Sequence, residues 1–213
     1  ARDCTFQQLA PYIGRIKTDI ARYLIATYSN RGQLVLDPFA GSGVVPFEAA
    51  LSGRRVVAAD ISPYAYLLTS AKFSAPRTVD KAVELFTRTW DASFRRRNQQ
   101  DLRRVPIWVR QFFHPDTLRN ALALRDELAA GNHHFLLACL LGILHHQRPG
   151  FLSYPIIHLV PYLRDRLFPR TKFPDLYTAR DIHSRMIAKI ERTYRRPPTH
   201  LADARVLLVD SRE

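Results

Sequence analysis

Two acids and a pair of glycines set the chemical question in this chain. Asp37 closes the short apolar run Leu34 to Leu36 and leads directly into Pro38-Phe39-Ala40-Gly41-Ser42-Gly43; Asp60 closes a second apolar run, 17 residues after Gly43. Glycines lack a Cβ, so the backbone turns tightly there and a ligand approaches it closely. A helix starting just behind such a loop offers unpaired N–H groups and the positive end of its dipole. An acid at the tip of the next strand is placed to accept hydrogen bonds from ribose hydroxyls. Together these features call for a nucleoside-containing ligand. The dinucleotide fingerprint requires a third glycine where Pro46 stands, and a phosphate-binding P-loop requires a Gly-Lys-Ser/Thr that does not follow. Asp37 would also repel a pyrophosphate, whereas it suits an ammonium or a sulfonium. S-adenosylmethionine carries both.

The flanking segments have the periodicities needed to position such a loop. Residues 15–29 place Ile16, Ile20, Tyr23, Leu24 and Thr27 on one face at helical spacing, which predicts an amphipathic helix packed through that face, with Gly32 as its C-cap. A strand over 33–37, a helix over 44–52 ending at Gly53, and a buried strand over 54–60 follow. Ser62 as N-cap and Pro63 at the first helical position open a helix over 62–73. Beyond it the β/α alternation stops. Residues 78–97, 115–130, 132–146 and 178–195 read as helices, with apolar stripes at Val83, Phe86, Trp90 and Phe94 and at Ile182, Met186, Ile187 and Ile190. Between the last two, residues 148–174 carry Pro149, Pro155, Pro161, Pro169 and Pro174 and cannot form one regular helix. The final run 204–213 is strand-like again and contains a third acid, Asp210.

Charge is distributed unevenly along this order. The 213 residues carry a net charge of +13, and the segment 73–199 alone holds 22 Lys and Arg against 11 Asp and Glu. Such a middle segment suits a polyanion, DNA or RNA, through phosphate contacts and counterion release. Arg95, Arg96, Arg97, Arg103 and Arg104 are candidates for phosphate contacts; Phe151, Tyr154, His158, Tyr162, Arg164 and Arg166, in the aromatic and basic stretch, are candidates to approach bases. No apolar run reaches the roughly 20 residues of a membrane span, and the N-terminus lacks the layout of a signal peptide. The reading is of a soluble, intracellular, cytoplasmic protein of prokaryotic type, with no membrane partner. Cys4 and Cys139 give neither a disulfide framework nor a zinc site. The pairs His133-His134 and His145-His146 point in diverging directions on a helix and carry no metal-ligand pattern.

The string "LDPFAGSG" resembles motif I of the S-adenosylmethionine-dependent DNA methyltransferases that modify exocyclic amines, giving N6-methyladenine or N4-methylcytosine. "VVAADISPYA" resembles the family's motif II, "LAPYIGRIKTDIARYLI" the segment before motif I, and "VLLVDSRE" its motif III strand. The resemblance covers roughly residues 8–73 and 202–213. It implies S-adenosyl-L-methionine as cofactor, held by Tyr12, by Asp37, Pro38, Phe39, Ala40, Gly41, Ser42 and Gly43, by Asp60 at the ribose, by Ile61 beside the adenine and by Asp210 near the adenine amino group. The family's catalytic tetrapeptide, Asp/Asn/Ser-Pro-Pro-Tyr/Phe, does not occur; Ser62-Pro63-Tyr64 has one proline and follows motif II. It is expected beyond Glu213. Neither cysteine follows a proline, which disfavours methylation at cytosine C5.

The expected fold is therefore α/β: a Rossmann-like class I methyltransferase sheet, interrupted by a basic, mainly helical insertion and lacking its C-terminal part. Residues 1–72 form the first part of the cofactor domain, 73–199 the insertion and candidate target-recognition region, and 200–213 the resumed domain. Three functions stay open: a DNA amine methyltransferase from a restriction-modification or related system, an RNA methyltransferase acting on a guanine amine in tRNA, and a non-catalytic nucleic-acid-binding subunit on the same fold. Adenine and cytosine are not distinguished.

Overall fold

A computed structural model of the chain describes residues 3–145, 151–154 and 161–212. Strands β1 (Leu34–Asp37), β2 (Arg55–Asp60) and β3 (Ala204–Leu208) form one parallel sheet in the order β1-β2-β3. Asp37 stands opposite Ala58 and Asp60 opposite Leu208, so β2 projects beyond the end of β1. Helices α1 (Thr18–Tyr28), α2 (Val44–Leu51) and α3 (Pro63–Phe73) accompany the sheet. Ser62 caps α3 by accepting the Ala65 N–H, with Pro63 at the first helical position, as its sequence requires.

Between α3 and β3 lie α4 (Val79–Arg97), α5 (Ile107–Arg110), α6 (Pro115–Ala130), α7 (His134–Leu144), α8 (Pro161–Leu167) and α9 (Ile182–Thr193). Within the described part of the stretch after α7, Pro161 opens α8 and Pro174 a short 3-10 helix. Pro149 and Pro155 lie outside the described residues. A single buried cluster runs from Phe6, Phe47 and Leu68 through Phe86, Leu124, Leu136, Met186 and Ile190, so the helical segment and the α/β segment share a core. A second cluster, of Ile25, Ala40, Ala49, Ala50, Val56 and Ala58, packs α1 and α2 on the sheet. Small residues there let the helices approach the strands closely.

A buried polar chain ties the N-terminal elements together. Glu48 on α2 accepts from Arg22 Nε on α1 at 2.8 Å and from Gln7 Nε2 at 2.8 Å, and Gln7 Oε1 accepts from Lys72 Nζ on α3 at 2.6 Å. Lys72 is buried with its ammonium over the Phe47 ring, and burial lowers its pKa to about 7, helped by the positive charge of Arg15 and opposed by the Glu48 carboxylate.

The packing of α1 corrects the periodicity. The expected inner face is outward: Ile20 is 48% exposed, Tyr23 68% and Leu24 40%, while Thr18, Ala21 and Ile25 are buried. Ala21 permits close contact, and the Arg22 to Glu48 ion pair fixes which side of α1 meets α2. Gly32 is not the C-cap either. Helix α1 ends at Tyr28 with Ser29 as cap, and Gly32, at φ +85°, donates its N–H to Gly53 O to turn the chain into β1.

Candidate functional site

The carboxyl ends of β1 and β2 open onto a cavity of about 520 Å³, within the range of roughly 300–1,000 Å³ typical of small-molecule sites. Asp37 and Asp60 line it, with Phe39, Ala40, Gly41 and Ser42 from the loop and Tyr12, Ile13, Gly14 and Arg15 from the segment before α1. Several short hydrogen bonds hold the loop. Asp37 Oδ1 accepts the Phe39 N–H at 3.1 Å, Ala59 O accepts the Ala40 N–H at 2.9 Å, and Ala40 O accepts the Gly43 N–H at 2.7 Å. Asp60 bridges to it: Oδ2 accepts the Gly41 N–H at 2.8 Å and Oδ1 the Ser62 N–H at 2.9 Å. Each Asp60 oxygen keeps a second lone pair for a ligand hydroxyl.

The two glycines have different physical roles. Gly41, at φ +53°, lies under the Tyr12 ring, where an added Cβ would come within 3.3 Å of the ring; Tyr12 in turn stacks on Tyr64. Gly43, at φ +72°, begins α2 against α3, and a Cβ there would stand 2.6 Å from Thr69 Oγ1. Thr69 also donates to Gly41 O at 3.1 Å, so one side chain locks both ends of the turn.

Burial raises the Asp37 pKa; the Phe39 N–H opposes this and the negative charge of Asp60 adds to it. The pocket therefore concentrates negative charge that a cationic ligand would relieve. Ile13, 99% exposed, and Phe39, 78% exposed, place apolar surface at the rim.

The cavity thus brings together Tyr12, Asp37, Phe39, Ala40, Gly41, Ser42 and Asp60 among the residues expected from sequence. Pro38 and Gly43 shape the loop without lining the cavity, and Ile61 is 66% exposed outside it. Asp210 follows β3 and pairs with Arg212 at 2.5 Å, away from the cavity lining. Arg15, Ile13 and Gly14 were not singled out from sequence, although they belong to the segment matched to the family's region before motif I. Thr69 carried no signal.

The residues expected at nucleic acid divide in the structure. Arg95, Arg103, Arg104 and Arg166 are exposed; Arg96 and Arg97 are half-buried. Arg96 pairs with Glu127 at 2.5 Å, Arg97 lies 3.9 Å from Asp116, and Arg103 pairs with Asp101 at 2.9 Å. Tyr154 and Arg164 require correction: they are 3% and 1% exposed. The Arg164 guanidinium lies over the rings of Tyr154 and Tyr177, bonds Asp165 Oδ1 at 2.7 Å and donates to Gln111 O at 2.6 Å. Its donors are spent on internal cohesion, which leaves neither residue a surface for bases. Tyr162 is 72% exposed and Phe151 half-buried; His158 lies outside the described residues.

The paired histidines are used singly. His134 meets the edge of Tyr66, and His145 Nδ1 lies 2.9 Å from Ser153 Oγ; His146 lies outside the described residues. No cluster of three or more metal-ligating side chains occurs among the described residues, and none of their helices is long and apolar enough to cross a membrane.

A parallel sheet with a glycine turn after its first strand, an acid at the tip of its second and a cavity over both has its cavity where open α/β sheets hold ligands, outside the carboxyl ends of the strands. Residues 15–72, from just before α1 to within one residue of the end of α3, match the family model of N6-adenine and N4-cytosine methyltransferases described as DNA methylase. No curated protein and no solved structure matches the chain.

Proposed function

We propose that the protein binds S-adenosylmethionine in the cavity at the ends of β1 and β2 and serves methyl transfer to an exocyclic amine of a DNA base. The observation that carries this reading is the pair Asp37 and Asp60 converging on one cavity inside the family-matched segment. When bound, the cofactor would supply an electrophilic methyl group on its sulfonium to an attacking amine, with the neutral thioether as leaving group. Asp37 faces the cationic end of the ligand. Asp60 offers its free lone pairs to the ribose hydroxyls, and Tyr12, Ile13 and Phe39 cover apolar surface and exclude water.

We further propose that the order β3-β2-β1 represents one half of a doubly wound sheet, whose switch point would lie at the outer edge of β1. Among the described residues that edge is unpaired, with Leu34 56% and Leu36 63% exposed beside it, and the apolar face of α1 is also uncovered. In this reading that edge is the place where further strands would pair. Residues 1–72 and 200–213 then form the cofactor domain, and 73–199 a target-recognition region fused to it through the common core.

Calorimetric titration of S-adenosylmethionine into the wild type, Asp37→Ala and Asp60→Ala tests the site. The wild type is expected to bind and each variant to lose about tenfold or more in affinity, the scale of a hydrogen bond to a charged group. Equal affinity in all three proteins would remove the assignment.

A further inference from the structure

Beside the cofactor cavity lies a second cleft, of about 600 Å³, whose wall includes Tyr12 and Arg15, residues that also line the first. Its remaining walls come from the segment before α1, from α7 at Gly142, from Phe151 and from α9 at Lys189 and Arg192. The described lining residues include three cations and no carboxylate. Elsewhere Arg22, Arg96, Arg125, Arg164 and Arg212 are ion-paired, but among the described residues no acid pairs with Arg15, Lys189 or Arg192.

Lys189 makes the site more than a surface patch. It is 5% exposed, and its ammonium donates to Gln8 O at 2.9 Å, one acceptor among the described residues for three N–H groups. Burial lowers its pKa; the buried Cys139 opposes this and the positive charge of Arg192 adds to it. The position is built in: a Cβ at Gly142 would stand 2.0 Å from Leu9 O and 3.0 Å from Lys189 Cε, so glycine alone lets α7 close against the N-terminal segment and the lysine. Arg192, exposed on the same helix, and Arg15 complete a cationic arc. Arg15 also donates to Gln7 O, a neutral acceptor that leaves its charge uncompensated. A phosphodiester satisfies these cations, because its oxygens accept several charge-assisted hydrogen bonds at once.

We propose that this cleft grips a backbone phosphate of the DNA substrate and thereby sets the register of the strand at the mouth of the cofactor cavity. The identity of the polyanion rests on the methyltransferase reading above; the cleft itself does not. One wall, Tyr12 and Arg15, separates the two sites, so a nucleotide neighbouring the held phosphate lies within reach of the cofactor cavity.

The test is fluorescence anisotropy of a labelled duplex of about 20 base pairs, titrated at several salt concentrations with wild type, Arg192→Gln and a control, Arg88→Gln, on the exposed face of α4. Loss of one phosphate contact lowers the slope of log K against log salt by about one. That loss is expected for Arg192→Gln and not for Arg88→Gln. An unchanged slope in Arg192→Gln, or an equal loss in the control, overturns the proposal. Inorganic phosphate, followed by thermal shift, separates the other source of the same chemistry: stabilisation lost in Arg192→Gln with DNA binding intact would mark a free-phosphate site and overturn the DNA assignment. S-adenosylmethionine titration of the same proteins keeps the readings apart. A reduced DNA slope without cofactor binding in the wild type sinks the methyltransferase reading and leaves the cleft; cofactor binding with an unchanged slope does the reverse.

Discussion

Asp60 Oδ2 holds the Gly41 N–H at 2.8 Å, so the acid ending one strand fixes the glycine turn that follows its neighbour. Its other oxygen holds the Ser62 N–H and with it the start of α3. Asp60 is thus both a ligand-facing group and the clamp of its own site. Asp60→Ala is expected to lower unfolding free energy by about 1–3 kcal/mol, the cost of polar groups left unpaired. Asp60→Asn, which keeps an acceptor oxygen, should lose less. Urea denaturation of the two variants measures the difference, and equal stabilities would mean that the clamp contributes nothing.

Gly43 and Thr69 form a second two-residue lock. A methyl group at Gly43 would meet Thr69 Oγ1 at 2.6 Å and Thr69 Cα at 3.0 Å, whereas one at Gly14 would meet nothing within 4 Å, although both residues have positive φ. Gly14→Ala therefore carries only the left-handed backbone cost of about 1–2 kcal/mol. Gly43→Ala adds overpacking of about 1–3 kcal/mol. Thermal unfolding should rank them in that order. If Gly14→Ala were equally damaging, the close approach to Thr69 would not be what demands glycine at 43.

The turn was legible because each requirement falls on a particular residue type within a few positions: acid, proline and glycine are what its backbone and ligand chemistry admit. The strands and the capped start of α3 were legible for the same local reason. Burial on α1 was not, since its periodicity defines an apolar face without saying whether anything covers it, and the alanine contact won. Tyr154 and Arg164 misled because aromatic and basic residues intermixed along a chain serve a surface or an internal cation–π stack equally well. The cleft of Arg15, Lys189 and Arg192 joins residues nearly 180 positions apart, and no local pattern announces it.

The stack around Arg164 yields its own expectation. Its guanidinium lies 5.0 Å from the Tyr154 ring centre and 5.3 Å from that of Tyr177. Lysine cannot reproduce two planar stacking contacts and the bond to Gln111 O together. Arg164→Lys should lose about 2 kcal/mol or more of stability, on the scale of desolvated cation–π contacts, and leave the salt slope of DNA binding unchanged. A normal stability with a reduced slope would restore Arg164 to the nucleic-acid surface.

Asp37 makes the proposed cofactor binding pH-dependent in a defined direction. Its carboxyl is raised above the usual range, chiefly by burial and further by Asp60. The ionised form is the one that attracts a cationic ligand. Affinity should therefore fall on acidification before an ordinary aspartate would protonate, and recover as pH rises through the raised pKa. In Asp37→Asn that limb of the profile should vanish and leave uniformly weak binding. A parallel profile in both proteins would show that the titrating group is another one.

Lys72 makes stability itself depend on pH. Its pKa falls from the ordinary lysine value of 10.5 to about 7 in the folded chain, because burial and then Arg15 disfavour the ammonium. Between those two values the unfolded chain binds more protons at this site than the folded one, so this contribution to stability rises with pH. The destabilisation is complete below about pH 7 and is relieved progressively towards 10.5. The slope is at most about 1.4 kcal/mol per pH unit for one group. Lys72→Met keeps the stem against Phe47 and removes the proton. Urea denaturation at pH 7, 8 and 9 should show the wild type gaining stability relative to Lys72→Met at each step. A difference constant across that range would mean that Lys72 keeps its proton when folded, and that Gln7, Phe47 and the nearby Glu48 carboxylate compensate its charge.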